Sequence, residues 1–248
     1  METKNQDLKV TIITVCYNSE KTIERTIQSV LNQTYSNIEY IIIDGKSSDH
    51  TLEIIKKYSE LYKNKIMFLS EPDNGIYDAM NKGIKQSIGN LIGILNSDDW
   101  YEPDAISSIV SSYYGTKYMV LYGYQRDIKD GKEYKTYIRA HEFLDSDMIT
   151  HPTCFVTKAT YDDFGIFDDT LKSAADYELM LRFYHSGEVK FKPVSKVITN
   201  FSIGGMSSTA RGVYETVLVR YKYDLVSRWD MQKAKVRYNI FHHLKTRN

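Results

Sequence analysis

The chain has 248 residues, 42% of them hydrophobic, with 32 Lys and Arg balancing 32 Asp and Glu. That length suffices for one large α/β domain with an appendage, and the charge balance excludes a whole-protein field of the kind that holds nucleic acid. Cys16 and Cys154 are too few and too scattered for a disulfide framework or a zinc site, and are expected to be packed thiols in a reducing compartment.

The polar start from Met1 to Lys9 lacks the apolar stretch of a signal peptide, and no apolar run nears the ~20 residues of a membrane span. The expected location is therefore cytoplasmic. Short β-branched runs then alternate with segments of helical period, the pattern of a mainly parallel sheet covered by helices. Strands are expected at Val10 to Val15, Ile38 to Ile43, Ile66 to Leu69, Leu91 to Leu95 and Tyr118 to Tyr124. Ile23, Ile27, Val30 and Leu31 mark one apolar helical face, and Leu52, Ile55 and Tyr58 another. A third helix is expected to open at Pro103, a favoured first-turn residue, and to bury Ile106, Ile109 and Val110. Beyond Asp127 the pattern loosens into a charged turn at Lys129 to Lys132, isolated apolar stretches and a helix from Asp176 to Tyr184. This half is expected to build the acceptor side. From Val213 to Leu244 one or two helices carry Val217, Leu218, Tyr221, Leu225, Trp229 and Ile240 among basic residues. The fold class is thus α/β, a Rossmann-like sheet with flanking helices over residues 1–210, followed by a basic helical extension at 211–248.

Ligands of open α/β sheets bind beyond the carboxyl ends of the strands, where loops and helix amino-termini converge. Thr14-Val15-Cys16-Tyr17-Asn18, Asp44 to Asp49 and Asn96-Ser97-Asp98-Asp99 occupy those ends and would open on one crevice. The carboxylates of Asp98 and Asp99 would crowd there, a repulsion that Mn²⁺ or Mg²⁺ relieves; the alternative is a helix cap before Pro103. Asp44, followed by the turn-permitting Gly45, either accepts the ring N–H of a uracil or caps the next helix. Tyr17 either stacks on a base or packs in the core. The turn Asp73-Asn74-Gly75 leads into a short helix whose Asp78, Asn81 and Lys82 share one side, a binding face or simply a solvated one. Asp176 heads an apolar helix, as its cap or as a general base for an acceptor hydroxyl. His151 and the pair Gly204 and Gly205 are candidates for a mobile acceptor loop, or ordinary structural residues.

Taken in order, these segments resemble the inverting glycosyltransferases of family 2, which have the GT-A fold, from Val10 to about Ser208. Thr11 to Asn18 is similar to the family's first nucleotide-binding strand, Ile43 to Thr51 to its second, and Asp73 to Gly83 to its third segment. Leu95-Asn96-Ser97-Asp98-Asp99 resembles its metal motif and Ala175-Asp176-Tyr177-Glu178 its catalytic carboxylate. The resemblance implies that Tyr17 stacks on the base and that Asp44 binds its ring N–H. Thr14, Val15, Asn18, Asp78, Asn81, Lys82 and Ser97 would line the donor, Asp98 and Asp99 would hold ribose and metal, and Asp176 would be the base. Two departures stand out: Asn96 replaces the first acidic residue of the metal motif, and Ala175 replaces the Glu that often precedes the catalytic Asp.

The activity implied is a metal-dependent, single in-line displacement that moves a hexosyl or N-acetylhexosaminyl group from a nucleotide sugar, UDP-linked by preference, to an acceptor hydroxyl. A glycan or lipid-linked sugar is the expected acceptor, in cell-surface polysaccharide assembly. The rival readings are a nucleotidyltransferase, against which Thr14 to Glu20 offers neither glycine nor a basic residue, and a non-catalytic nucleotide-sugar or partner-binding module. From Arg211 onward nine basic residues face only Glu215, Asp224 and Asp230, an excess of six positive charges. That tail is expected to rest on an anionic membrane face, to pack on the domain, or to form a homodimer contact.

Overall fold

Four strands rich in β-branched residues, β1 (Val10–Cys16), β2 (Ile38–Asp44), β3 (Ile66–Ser70) and β4 (Leu91–Asn96), lie parallel in the order β3-β2-β1-β4. The computed structural model describes residues 8–63, 65–204 and 210–245. Alternate strand residues point to opposite faces. Ile13, Val15, Ile41, Ile43, Ile92 and Ile94 enter one core and Ile12, Tyr40, Ile42, Leu91 and Leu95 the other. Helices α1 (Ile23–Leu31), α2 (Thr51–Leu61) and α4 (Ala105–Ser112) cover the second face, while α3 (Ile76–Gln86) and α6 (Ala175–His185) cover the first. Burial on both faces is the reason β1, β2 and β4 read as near-continuous apolar runs, while β3, at the sheet edge, leaves Met67 and Phe68 exposed.

The rest of the sheet is mixed. The short β8 (Phe155–Thr157) runs antiparallel between β4 and β6 (Met119–Lys129) and leads into α5 (Lys158–Phe164). β9 (Lys190–Ser202) runs parallel to β6 and carries β5 (Trp100–Tyr101) on its other side, while β7 (Lys132–Tyr137) folds back on β6. The β6–β7 turn falls in the charged stretch expected to turn, with Asp130 and Gly131 at φ of 51° and 73°.

Helix α4, expected to open at Pro103, starts at Ala105 because the residues before it are held elsewhere. The Glu102 N–H donates to the Ile198 carbonyl of β9, and the Pro103 carbonyl accepts from the Thr34 N–H. Cys16 and Cys154 are buried free thiols, both pushed up by burial. The tail folds into α7 (Ala210–Lys222) and α8 (Arg228–Lys245). α7 is seated on the domain through Val219, with Tyr223 and Leu225 packed beside it, and α8 lies against α7, where Tyr214 and Tyr238 stack at 5.0 Å. Among the described residues no helix is long and apolar enough to cross a membrane.

Candidate active site

Register brings the strand ends together: Cys16 lies opposite Asp44, Asp44 opposite Ser70, and Val15 opposite Asn96. The four loops that follow therefore leave from one edge. Asn18 and Lys46 both take left-handed backbone, φ 49° and 63°, and Asn18 latches the first two loops. Its N–H donates to Ser47 Oγ at 2.9 Å and its Oδ1 accepts from the Ser48 N–H at 2.8 Å. Between them Tyr17 stands 63% exposed, out of the core and open to a stacking partner. Thr14 is different: it is buried and its hydroxyl shares a bond with that of Tyr40 at 3.0 Å, while Val15 packs in the core. These two face inward, leaving only backbone to the crevice.

Asp44 is fully buried. Its oxygens accept from Ser47 Oγ at 2.5 Å, Ser70 Oγ at 2.6 Å and the Ser47 N–H at 3.2 Å, so it closes its own loop and ties it to β3. The carboxylate beside the Tyr17 ring is Asp73. A Cβ placed on Gly45 would lie 2.4 Å from Asp73 Oδ2 and 3.5 Å from the Tyr17 ring; glycine is needed there for the approach of all three. Asp73 Oδ1 accepts from the Gly75 N–H at 2.9 Å, and Gly75, at φ 117°, opens α3.

On α3, Asp78 accepts from the Asn74 N–H at 2.9 Å and pairs with Lys82 at 3.4 Å, and Lys82 also reaches Glu71 at 2.9 Å. The Asn74 N–H, with Lys82 behind it, holds the Asp78 carboxyl below its ordinary range against the cost of burial. Asn81 does not share that face with them. It is buried and brackets the backbone of Phe167, donating to its carbonyl at 2.9 Å and accepting from its N–H at 3.0 Å.

After β4, Ser97 shares a bond with Ser19 at 2.8 Å. Neither following aspartate caps a helix. Asp99 is fully buried, with Oδ1 accepting from the Ser202 N–H at 2.9 Å and Oδ2 without a partner, and the buried Asn96 Oδ1 is likewise unpartnered. Asp98 is half-buried. Burial pushes both carboxyls up, that of Asp99 further because it is the more deeply buried, with the Asp98 charge adding to it. The nearby cation is Arg25, stacked 3.6 Å over the Trp100 ring and donating to the Asp98 carbonyl at 2.8 Å. No group of three or more His, Cys, Asp or Glu forms a metal cluster among the described residues. The donors present are all oxygens, two of them buried and unpartnered, a set that suits a hard cation also binding diphosphate.

Asp176 is the second residue of α6, whose cap position is Ala174, a residue with no side-chain oxygen to give. The Asp176 Oδ1 accepts from Tyr77 Oη at 3.0 Å and from the Tyr177 N–H at 2.9 Å. Tyr77 belongs to the first turn of α3, directly after the β3 loop, so Asp176 stands at the same sheet edge. His151 packs edge-on to Phe167 at 5.7 Å, and burial, opposed by the Asp176 charge, lowers its pKa. Gly204 is exposed at φ 129°, and Gly205 lies outside the described residues.

A family model described as Glycosyl transferase family 2 matches residues 11–187. The chain is a member of glycosyltransferase family 2. It is 30% identical over 212 residues to a chondroitin synthase of Pasteurella multocida, matching 82% of this chain and 22% of that protein. It is 29% identical to the uncharacterized glycosyltransferase RP339 of Rickettsia prowazekii, over 73% of this chain and 60% of that one. The chain thus spans about a fifth of the length of the chondroitin and hyaluronan synthases of Pasteurella multocida that it matches. Its GT-A fold is shared with TarS of S. aureus in complex with UDP (TM-score 0.69, 20% identity, 92% of this chain and 68% of that one). It is shared too with the mannosyltransferase PcManGT of Pyrobaculum calidifontis in complex with GDP-Man and Mn²⁺ (TM-score 0.67, 15% identity, 93% and 70%).

Four features of this family 2 member escaped the reading of its sequence: Asp73 near Tyr17, Tyr77 on Asp176, Ser202 on Asp99 and Arg25 behind the acidic pair. Asp73 and Tyr77 lie within the Asp73 to Gly83 segment already singled out, so that segment carried a signal. Ser202 and Arg25 are distant in sequence and carried none.

Proposed function

We propose that the chain is a divalent-metal-dependent, inverting glycosyltransferase that moves a hexosyl or N-acetylhexosaminyl group from a nucleoside diphosphate sugar, UDP-linked first, to a hydroxyl of a glycan or lipid-linked acceptor in cell-surface polysaccharide assembly. The observation that carries this reading is Asp176, anchored by Tyr77 at the edge where β4 delivers Asp98 and Asp99.

In this reading Tyr17 stacks on the base, with the half-buried Asp73 as the carboxylate near it and Asp44 shaping the loop beneath. Asp98, being accessible, and Asp99, with Asn96 behind, are the residues to hold Mn²⁺ or Mg²⁺. When bound, such an ion neutralises charge on the departing diphosphate. Asp176 has Oδ1 fixed by two donors, which leaves Oδ2 to accept the proton of the acceptor hydroxyl as its oxygen attacks the anomeric carbon. Attack from the face opposite the leaving diphosphate inverts the configuration in one displacement.

The test is titration with UDP, GDP and dTDP sugars with and without Mn²⁺, followed by turnover and the anomeric configuration of the product. Asp176→Asn is expected to lose transfer by at least about 10²-fold with donor binding kept. Metal-independent turnover, a retained anomer, or a donor bound and never turned over would each overturn part of the reading.

A separate observation supports contact with an anionic membrane face. At ~100° per residue, Trp229, Val236 and Ile240 form one stripe of α8, all more than half exposed, opposite the Tyr238 that packs on α7. Lys233, whose ammonium lies 2.9 Å over the Trp229 ring, and Arg237 border it, a basic rim of the kind an interfacial helix carries. Sedimentation with phosphatidylglycerol vesicles at low salt, lost in Trp229→Ala with Ile240→Ser, is the expected result. Self-association of the free protein through the same residues would assign the stripe to a homodimer instead.

A further inference from the structure

Helix α6 starts without help from its own cap residue, Ala174. Besides Asp176 and Glu178 of its own first turn, a further anion at that end comes from the tail. Glu215, buried on α7, accepts through Oε2 from the backbone N–H of Lys172 at 2.9 Å and of Ser173 at 2.7 Å, the two residues just before the cap. Lys172 in turn donates through Nζ to the carbonyls of Asn74 at 2.9 Å and Asp169 at 2.8 Å, tying the same segment to the turn that opens α3. One turn into α6, Glu178 receives Lys222 Nζ at 2.8 Å and Tyr223 Oη at 3.2 Å. α7 thus grips both the approach to Asp176 and the turn after it.

We infer that Glu215 is a positioning residue for Asp176, so that α7 belongs to the transfer machinery. This rests on the reading of Asp176 as the base. Asp176 has its Oδ1 held by Tyr77 of α3, and its backbone is set by the 172–174 segment. With the Glu215 bonds removed, that segment loses its tie to α7 and the carboxylate shifts relative to the acceptor. A misplacement near 1 Å costs on the order of 10²-fold in rate, while Tyr17, on the loop after β1, and the Asp73 carboxylate, held by the Gly75 N–H, keep their own supports.

The test uses the full chain and the donor turned over from a panel of UDP-N-acetylglucosamine, UDP-glucose and GDP-mannose, with calorimetric binding of the matching nucleoside diphosphate. Glu215→Ala is expected to lower kcat about 10- to 100-fold with the diphosphate Kd within about twofold of wild type. Glu215→Gln, whose amide oxygen still accepts both N–H groups, is expected to recover kcat to within about threefold. Hydrogen exchange of Lys172 and Ser173 should quicken in the Ala variant and not in the Gln variant. Should the Ala variant fail to fold, Glu215→Asp, one methylene shorter with the charge kept, takes its place with the same expectation. Unchanged kcat in the Ala or Asp variant, or a Gln variant as impaired as Ala, overturns the inference. So does a loss of kcat matched by an equal loss of diphosphate affinity. Asp176→Asn is run alongside: if it keeps turnover, the base reading fails, whereas an inactive Asp176→Asn beside a fully active Glu215→Ala sinks only the positioning role.

Discussion

Tyr77 donates its phenolic hydrogen to Oδ1 of Asp176 across 3.0 Å, joining the first turn of α3 to the first turn of α6. These turns are 99 residues apart in sequence. The Tyr77 ring also stacks on Phe167 at 5.5 Å, so Tyr77→Phe removes the hydrogen bond and keeps the packing. A bond to a charged group contributes about 1.5–3 kcal/mol. The expected result is transfer slowed about tenfold or more with Tm lowered by roughly 3–12 °C, read from steady-state kinetics and thermal melts.

Gly45 leaves the space into which Asp73 and Tyr17 approach. Gly45→Ala sets a methyl 2.4 Å from Asp73 Oδ2, and that carboxylate must leave the Tyr17 ring. Binding of UDP, or of whichever diphosphate binds, is expected to weaken about tenfold, near 1.4 kcal/mol. Calorimetry that finds wild-type affinity would show that Asp73 does not face the base.

The buried Asp99 gives the stability a pH dependence whose sign is fixed. Burial foremost, and then the Asp98 charge, push its carboxyl up, with the Ser202 N–H and Arg25 opposing. A group that holds its proton more firmly in the fold favours folding below its unfolded pKa of ~3.9 and loses that advantage as pH rises. In metal-free protein Asp99→Asn should therefore be the more stable at pH 7, by about 1–3 kcal/mol, with the gap closing toward pH 4. Melts across that range check it, and Mn²⁺ should raise the Tm of the wild type and not of the variant.

Glu178 behaves with the opposite sign. Burial works against its charge, but Arg182 at 2.5 Å and Lys222 at 2.8 Å outweigh it and hold the carboxyl below its ordinary range. Its contribution is present above the unfolded pKa of ~4.3 and is lost as pH falls through the lower folded value. Glu178→Gln should cost about 1.5–3 kcal/mol at pH 7, and the difference from wild type should shrink on acidification, as urea titrations at pH 7 and pH 3 would show.

The chain's sequence was sufficient for β1 to β4, for α1 to α3, and for the acidic groups at the strand ends. Strands buried on both faces must be apolar throughout, and helices seated on them must repeat every third or fourth residue, so both leave local patterns. β5, β8 and β9 left none. Two of them are two and three residues long, and β9 carries Lys190, Lys192, Pro193 and Lys196 among its apolar residues; its place is decided by its pairing with β6 rather than by its own composition. The candidate site divides in the same way. Residue type and order sufficed to nominate Tyr17, Asp98, Asp99 and Asp176, since chemistry restricts which side chains stack, bind hard cations or take a proton. Tertiary structure alone decided that Asp44 is enclosed while Asp73 is only half-buried, that Asn81 braces Phe167, and that Glu215 of the basic tail reaches the start of the helix bearing Asp176. Each is a hydrogen-bond or steric relation between distant segments, set by how helices and loops pack on the sheet, and no local periodicity records it.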